Sequence, residues 1–71
     1  MYYELEGLGR YYNLYSADFA ATTHCRAYYK RVIGYVYEEN DNDPDRFIAI
    51  RFYFPSGKII TQYAFSDTVL K

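Results

Sequence analysis

The residues best suited to chemistry are few. His24 and Cys25 stand side by side, and the chain has no other histidine or cysteine. A thiol beside an imidazole suggests a nucleophile and its base. Neighbouring residues on a helix point about 100° apart, however, so the two cannot meet unless the segment bends. The thiol therefore reads as a buried structural group. Zinc is excluded on ligand count, because one His and one Cys fall short of a coordination shell. Asp41-Asn42-Asp43-Pro44-Asp45 opens like a calcium loop. It then fails, with Arg46 where the sharp turn needs glycine and Phe52 where a bidentate glutamate is needed. Gly7-Leu8-Gly9-Arg10 lacks the glycine spacing and the Lys-Ser/Thr ending of a phosphate loop. No carboxylate sits in an apolar context that would raise its pKa. A chain this short also struggles to enclose a substrate pocket. The expectation is a protein that is not an enzyme, with no catalytic residue, no metal ligand set and no cofactor.

What remains is binding. Tyrosine is the outstanding residue type, with 11 Tyr and 5 Phe but no Trp in 71 residues. Tyrosine offers a large contact area, a polar tip and few torsions to freeze, which suits it to interfaces. Part of this content must fill a thin core, and the remainder points to an exposed Tyr cluster. Glu38, Glu39, Asp41, Asp43 and Asp45 form a compact acidic run, of a kind that fits a basic groove on a partner, including one that ordinarily holds nucleic acid. Tyr2, Tyr11, Tyr12 and Tyr35 are the candidate anchors, with Glu38, Glu39, Asp41 and Asp43 as the polar contact. A rival arrangement uses Arg26 and Lys30, four apart on one helix face, together with Arg51 and Tyr53 on the outer face of a sheet. Cations among aromatics bind single-stranded nucleic acid through phosphate attraction and base stacking.

These groups need elements to hold them. Met1–Glu6 alternates weakly, placing Tyr3 and Leu5 on one face and Tyr2, Glu4 and Glu6 on the other. Gly7-Leu8-Gly9 breaks it, and Arg10–Tyr15 resumes, which reads as a hairpin with Glu6 opposite Arg10. Ser16 is the expected cap of a helix from about Ala17 to Arg31, with Asp18 in its first turn. Ala17, Ala21, Cys25, Tyr28 and Val32 form one helical stripe, whereas Phe19 falls on the far side. Val32–Glu39 reads as a strand, and Glu38 to Asp45 as a polar loop.

Phe47–Phe54 and Lys58–Phe65 flank the turn Pro55-Ser56-Gly57. Pairing Phe54 with Ile59 sets Phe52 opposite Thr61, Ile50 opposite Tyr63 and Ile48 opposite Phe65, a face that is almost wholly apolar. The other face then carries Tyr53 with Ile60, Arg51 with Gln62 and Ala49 with Ala64. The predicted order is ββαβββ. The fold class is α+β, a small antiparallel sheet of about four to five strands with one helix on its apolar face. The expected core sets Ile48, Ile50, Phe52, Phe54, Ile59, Tyr63 and Phe65 against Ala21, Cys25 and Tyr28.

Length and charge bound the rest. The 71 residues make one domain with a thin core. The single cysteine rules out a disulfide within one chain and suits a reducing compartment. No signal-peptide pattern and no membrane-spanning apolar run of roughly 18 residues is visible. A cytoplasmic place follows as the expectation. A formal net charge of −1, from 8 basic and 9 acidic residues, argues against a chain built mainly to neutralise phosphates.

The leading functional expectation is a protein that docks onto, and inhibits, a partner protein. The profile has the style of small phage and mobile-element inhibitors, anti-CRISPR proteins among them, an analogy that rests on no motif. The alternative is a small RNA- or single-strand-binding domain. Homodimerisation through an open edge of the sheet is compatible with either.

Overall fold

A computed structural model describes residues 1–64 of the chain. Its element order is β1 (Tyr2–Leu5), β2 (Gly9–Tyr11), α1 (Leu14–Tyr28), β3 (Val32–Tyr37), β4 (Ala49–Tyr53) and β5 (Ile59–Tyr63). The strands form one sheet in the order β2-β1-β3-β4-β5, every neighbouring pair antiparallel, with α1 packed on one face. The α+β class and the ββαβββ order are as the residue pattern predicts.

The first hairpin forms, but its register differs from the expected one. Glu4, not Glu6, lies opposite Arg10, and the two side chains form an ion pair. Glu6 instead accepts a hydrogen bond from the Tyr35 hydroxyl at 3.1 Å. The helix also begins earlier than expected. Asn13, in extended conformation, is the N-cap, and its side-chain oxygen accepts from the Ser16 N–H at 3.1 Å. Ser16 is thereby inside the helix, and Asp18 lies beyond the first turn. The helix ends at Tyr28, with Tyr29 in left-handed conformation as its C-cap.

The β4–β5 hairpin is one residue out of the expected register, pairing Tyr53 with Ile59, Phe52 with Ile60 and Arg51 with Thr61. Its turn explains why. Gly57 adopts a φ of +94°, its N–H bonds the Phe54 carbonyl, and the Phe54 N–H bonds the Lys58 carbonyl. Phe54 and Lys58 thus close a three-residue loop of the kind in which a left-handed glycine follows the turn. The expected pairing required a loop one residue longer. The expected Ile48–Phe65 pair falls outside the described residues.

The largest correction concerns which face the helix covers. The core is Leu5, Ala17, Ala21, Cys25, Val32 and Tyr53. On β4, therefore, Ala49, Arg51 and Tyr53 face the helix, and Ile50 and Phe52 face away. Ala17, Ala21, Cys25 and Ala49 are fully buried, so small side chains bring helix and sheet close together. Gly34 makes room for a side chain of the neighbouring strand, since a Cβ there would stand 2.7 Å from Leu5 Cδ2. The Cys25 thiol donates to the Tyr53 carbonyl at 3.3 Å. Tyr28, expected in the core, is 67% exposed.

Candidate functional site

Arg51 and Tyr53 decide part of the site by leaving it. They were expected on the outer sheet face, yet both lie under the helix. Asp18 of α1 receives the Arg51 guanidinium at 3.1 and 2.8 Å and the Tyr53 hydroxyl at 2.7 Å. Arg51 also donates to the Thr61 hydroxyl at 2.7 Å. Burial, with the Asp18 hydrogen bond second, holds the Tyr53 phenol well above its ordinary pKa. Burial works against the Arg51 charge, but the bonds to Asp18 and Tyr53 outweigh it and raise its pKa further. This network ties α1 to β4 and β5 and is satisfied within the chain. Arg51 and Tyr53 are therefore partnered within the chain and not presented on the outer face as expected. Arg26 and Lys30 remain exposed at the C-terminal end of the helix, beside the exposed rings of Tyr28 and Tyr29.

Tyr2 also changes role. It is buried rather than an exposed anchor, stacked on Tyr37 with ring centroids 5.0 Å apart. Both rings lie on the outer sheet face, and both hydroxyls hold the acidic loop. Tyr2 donates to the Asp41 carbonyl, and Tyr37 to the Pro44 carbonyl at 2.9 Å. Burial, followed by the proximity of Tyr2 and nearby acids, raises the Tyr37 pKa. The loop braces itself as well. Asp41 Oδ1 accepts from the Asp43 N–H, and Asp43 Oδ1 from the Asp45 N–H, each at 3.0 Å. Arg46 pairs with Asp41 at 3.4 Å. The acidic run is thus a shaped protrusion. Asp41 is turned partly inward, and Glu38, Glu39, Asp43 and Asp45 are exposed with no ion pair among the described residues.

The loop stands beside two further features of the outer face. A cleft of about 280 Å³ is lined by Tyr2, Glu4, Arg10, Tyr37, Asn42 and Pro44. At its border the Tyr12 ring, 73% exposed, leans toward Tyr2 at 6.3 Å. The remainder of the face is an apolar strip that no described element covers, made of half-buried Ile33, Tyr35, Ile50 and Phe52 and exposed Ile60. Tyr35 packs on Phe47 at 5.3 Å, and Arg31 lies over Phe52 at 5.8 Å. Of the expected anchors, Tyr35 and Tyr12 thus reach the surface near the acidic loop. Tyr11 is half-buried against the core on the helix side.

Sequence reasoning missed the strip because it assigned those residues to the interior. It did flag Phe19, which the helix presents to solvent next to Tyr15 one turn away.

Among the described residues no group of His, Cys, Asp and Glu is arranged to hold a metal ion, and no helix is long and apolar enough to cross a membrane. No protein-family model matches the chain, and neither a curated protein nor a solved structure is significantly similar to it.

Proposed function

We propose that this protein binds a partner protein through the outer face of its sheet and blocks the surface it covers. The observation that supports this most is the apolar strip lying open beside a pre-shaped acidic loop. An exposed apolar patch rimmed by polar residues is the usual signature of a protein-binding surface. Here the strip supplies the area to be buried, and Glu38, Glu39 and Asp43 supply a rim that selects a basic partner. Such a partner includes a protein whose basic groove serves nucleic acid. The protein acts by occupancy and performs no reaction of its own. Its place is the cytoplasm, a reading supported by the single cysteine, Cys25, which is buried.

The test is a tagged pull-down from native lysate, with and without nuclease, repeated with two sets of variants. Phe52→Asp interrupts the strip, and Glu38→Gln with Glu39→Gln and Asp43→Asn discharges the rim. A stoichiometric protein partner that survives nuclease, and whose affinity falls about tenfold or more in each set, is the expected result. Equal capture by wild type and both variants would remove the proposal.

A second reading, direct binding of single-stranded nucleic acid, is favoured by one specific observation. Tyr29 is 85% exposed and is held at a positive φ of 50° between Arg26, Tyr28 and Lys30. A bulky residue in that conformation is uncommon, and cations beside exposed rings suit phosphates and bases. Partners lost on nuclease digestion would move the assignment to this end of the molecule.

A further inference from the structure

The two edges of the sheet are built differently. The β2 edge is three residues long, bears the Arg10–Glu4 ion pair and runs directly into the helix cap. It is short and charged, as protected edges are. Among the described residues the β5 edge has none of these guards. Ile59–Tyr63 contains no charged residue, no proline and no bulge. The helix packs over β1 to β4 and does not touch β5, so among the described residues no element covers this strand on either face. Ile59, Ile60 and Tyr63 are 37%, 41% and 39% exposed.

The ladder shows which backbone groups of β5 have no partner among the described residues. Phe54–Lys58 and Ile48–Ala64 are joined by main-chain hydrogen bonds. Antiparallel alternation then turns Ile60 and Gln62 toward β4 and directs the N–H and C=O of Ile59, Thr61 and Tyr63 outward.

We infer that β5 is a homodimerisation strand, pairing antiparallel with the β5 of a second copy about a two-fold axis through Thr61. This register satisfies every outward group of Ile59, Thr61 and Tyr63 in both copies, and sliding it in either direction leaves some unpaired. It is also self-complementary in side chains. Ile59 meets Tyr63 of the other copy, Ile60 meets Gln62, and Thr61 meets Thr61. Aromatic–β-branched and Thr–Thr cross-strand pairs are favourable, and no like charges are opposed. The dimer joins the two outer faces into one continuous surface and carries an acidic loop at each end. It does not depend on the partner reading above, because the pairing is made by the outward main-chain groups of Ile59, Thr61 and Tyr63 and not by the side chains of the apolar strip.

Sedimentation and amide hydrogen exchange of the intact chain test this over a range of concentration. The expected mass is twice the 8.5 kDa of one chain at high concentration, returning to one chain on dilution. In the dimer the amides of Ile59, Thr61 and Tyr63 become protected about tenfold or more, whereas those of Ile60 and Gln62 are protected in the monomer already. Tyr63→Pro removes an outward N–H that has no partner among the described residues, and it should give a monomer with unchanged far-ultraviolet circular dichroism. Tyr63→Phe keeps the N–H and should remain dimeric. A single-chain mass at every concentration overturns the inference. So does a dimer that forms without protecting the outward amides, and that readout stands on the wild-type chain alone if the proline variant fails to fold.

Discussion

At the residue scale, the Asp18–Arg51–Tyr53 group shows how a charged side chain comes to face a helix. Arg51 is admitted to the inner face because Asp18 accepts two hydrogen bonds from it, with the Tyr53 hydroxyl sharing the Nε–H and the Thr61 hydroxyl accepting from Nη1. The same group gives a pH signature. Tyr53, Tyr35 and Tyr37 all have pKa values raised above the ordinary 10.0 of a free phenol. The folded state therefore retains protons that the unfolded chain has already lost. Their contribution is fully present below about pH 10 and declines as the pH rises from there toward the folded values. Urea unfolding of the wild type between about pH 9 and pH 11 should show this decline. Tyr53→Phe should lose about 1 to 2 kcal/mol at neutral pH, from its hydrogen bond to Asp18, and should fall less steeply with alkali. An identical slope in the two proteins would show that Tyr53 does not hold its proton in the fold.

At the element scale, the ends of α1 carry opposite kinds of information. Its start is optimised locally, with Asn13 capping and the Ala17 N–H bonding the Asn13 carbonyl at 3.0 Å. Its end is not, because Tyr29 occupies a position that glycine would fill without a Cβ penalty. Tyr29→Gly should therefore stabilise the domain by about 1 kcal/mol, measured as a higher urea midpoint. The conclusion for function depends on what else changes. If nucleic acid binds this end, the same substitution should weaken that binding while it strengthens the fold. If the sheet face is the docking surface, partner affinity should be unmoved.

At the scale of the whole molecule, charge is divided along the domain. The β3–β4 loop puts Glu38, Glu39, Asp43 and Asp45 at one end of the sheet. Arg26, Lys30 and Arg31 lie at the other, where the helix ends. A net charge of −1 hides this polarity, because the two ends nearly cancel. A basic partner docked beside the acidic loop should associate more slowly as salt rises from about 50 to 500 mM, with a smaller change in dissociation rate, since steering is screened and strip contacts are not. Surface plasmon resonance of the captured partner reads both rates. A salt effect confined to dissociation would mean that the carboxylates act only after contact.

The sequence by itself determined the elements. Hydrophobic alternation, Gly7 and Gly9, Pro55 and Gly57, and the Ala17–Ala21–Cys25 stripe are local signals, and each corresponds to a strand, a turn or the buried helix face that formed. The acidic loop was legible for the same reason, being a short contiguous run. The tertiary structure decided which face of the sheet is inside. Apolar content alone favours Ile50 and Phe52, but it does not register that Asp18, far away in sequence, neutralises Arg51. Nor does it register that small Ala17, Ala21 and Cys25 let the helix sit closely on Leu5, Val32 and Tyr53. The register of the last hairpin was decided by the left-handed Gly57, which shortened the loop by one residue. With period-two alternation, that single residue exchanges the partners of an entire strand. The candidate surface followed from both. Residues that composition assigns to a core became the open strip, and Tyr2, which composition offers as an anchor, became the post that holds the acidic loop in place.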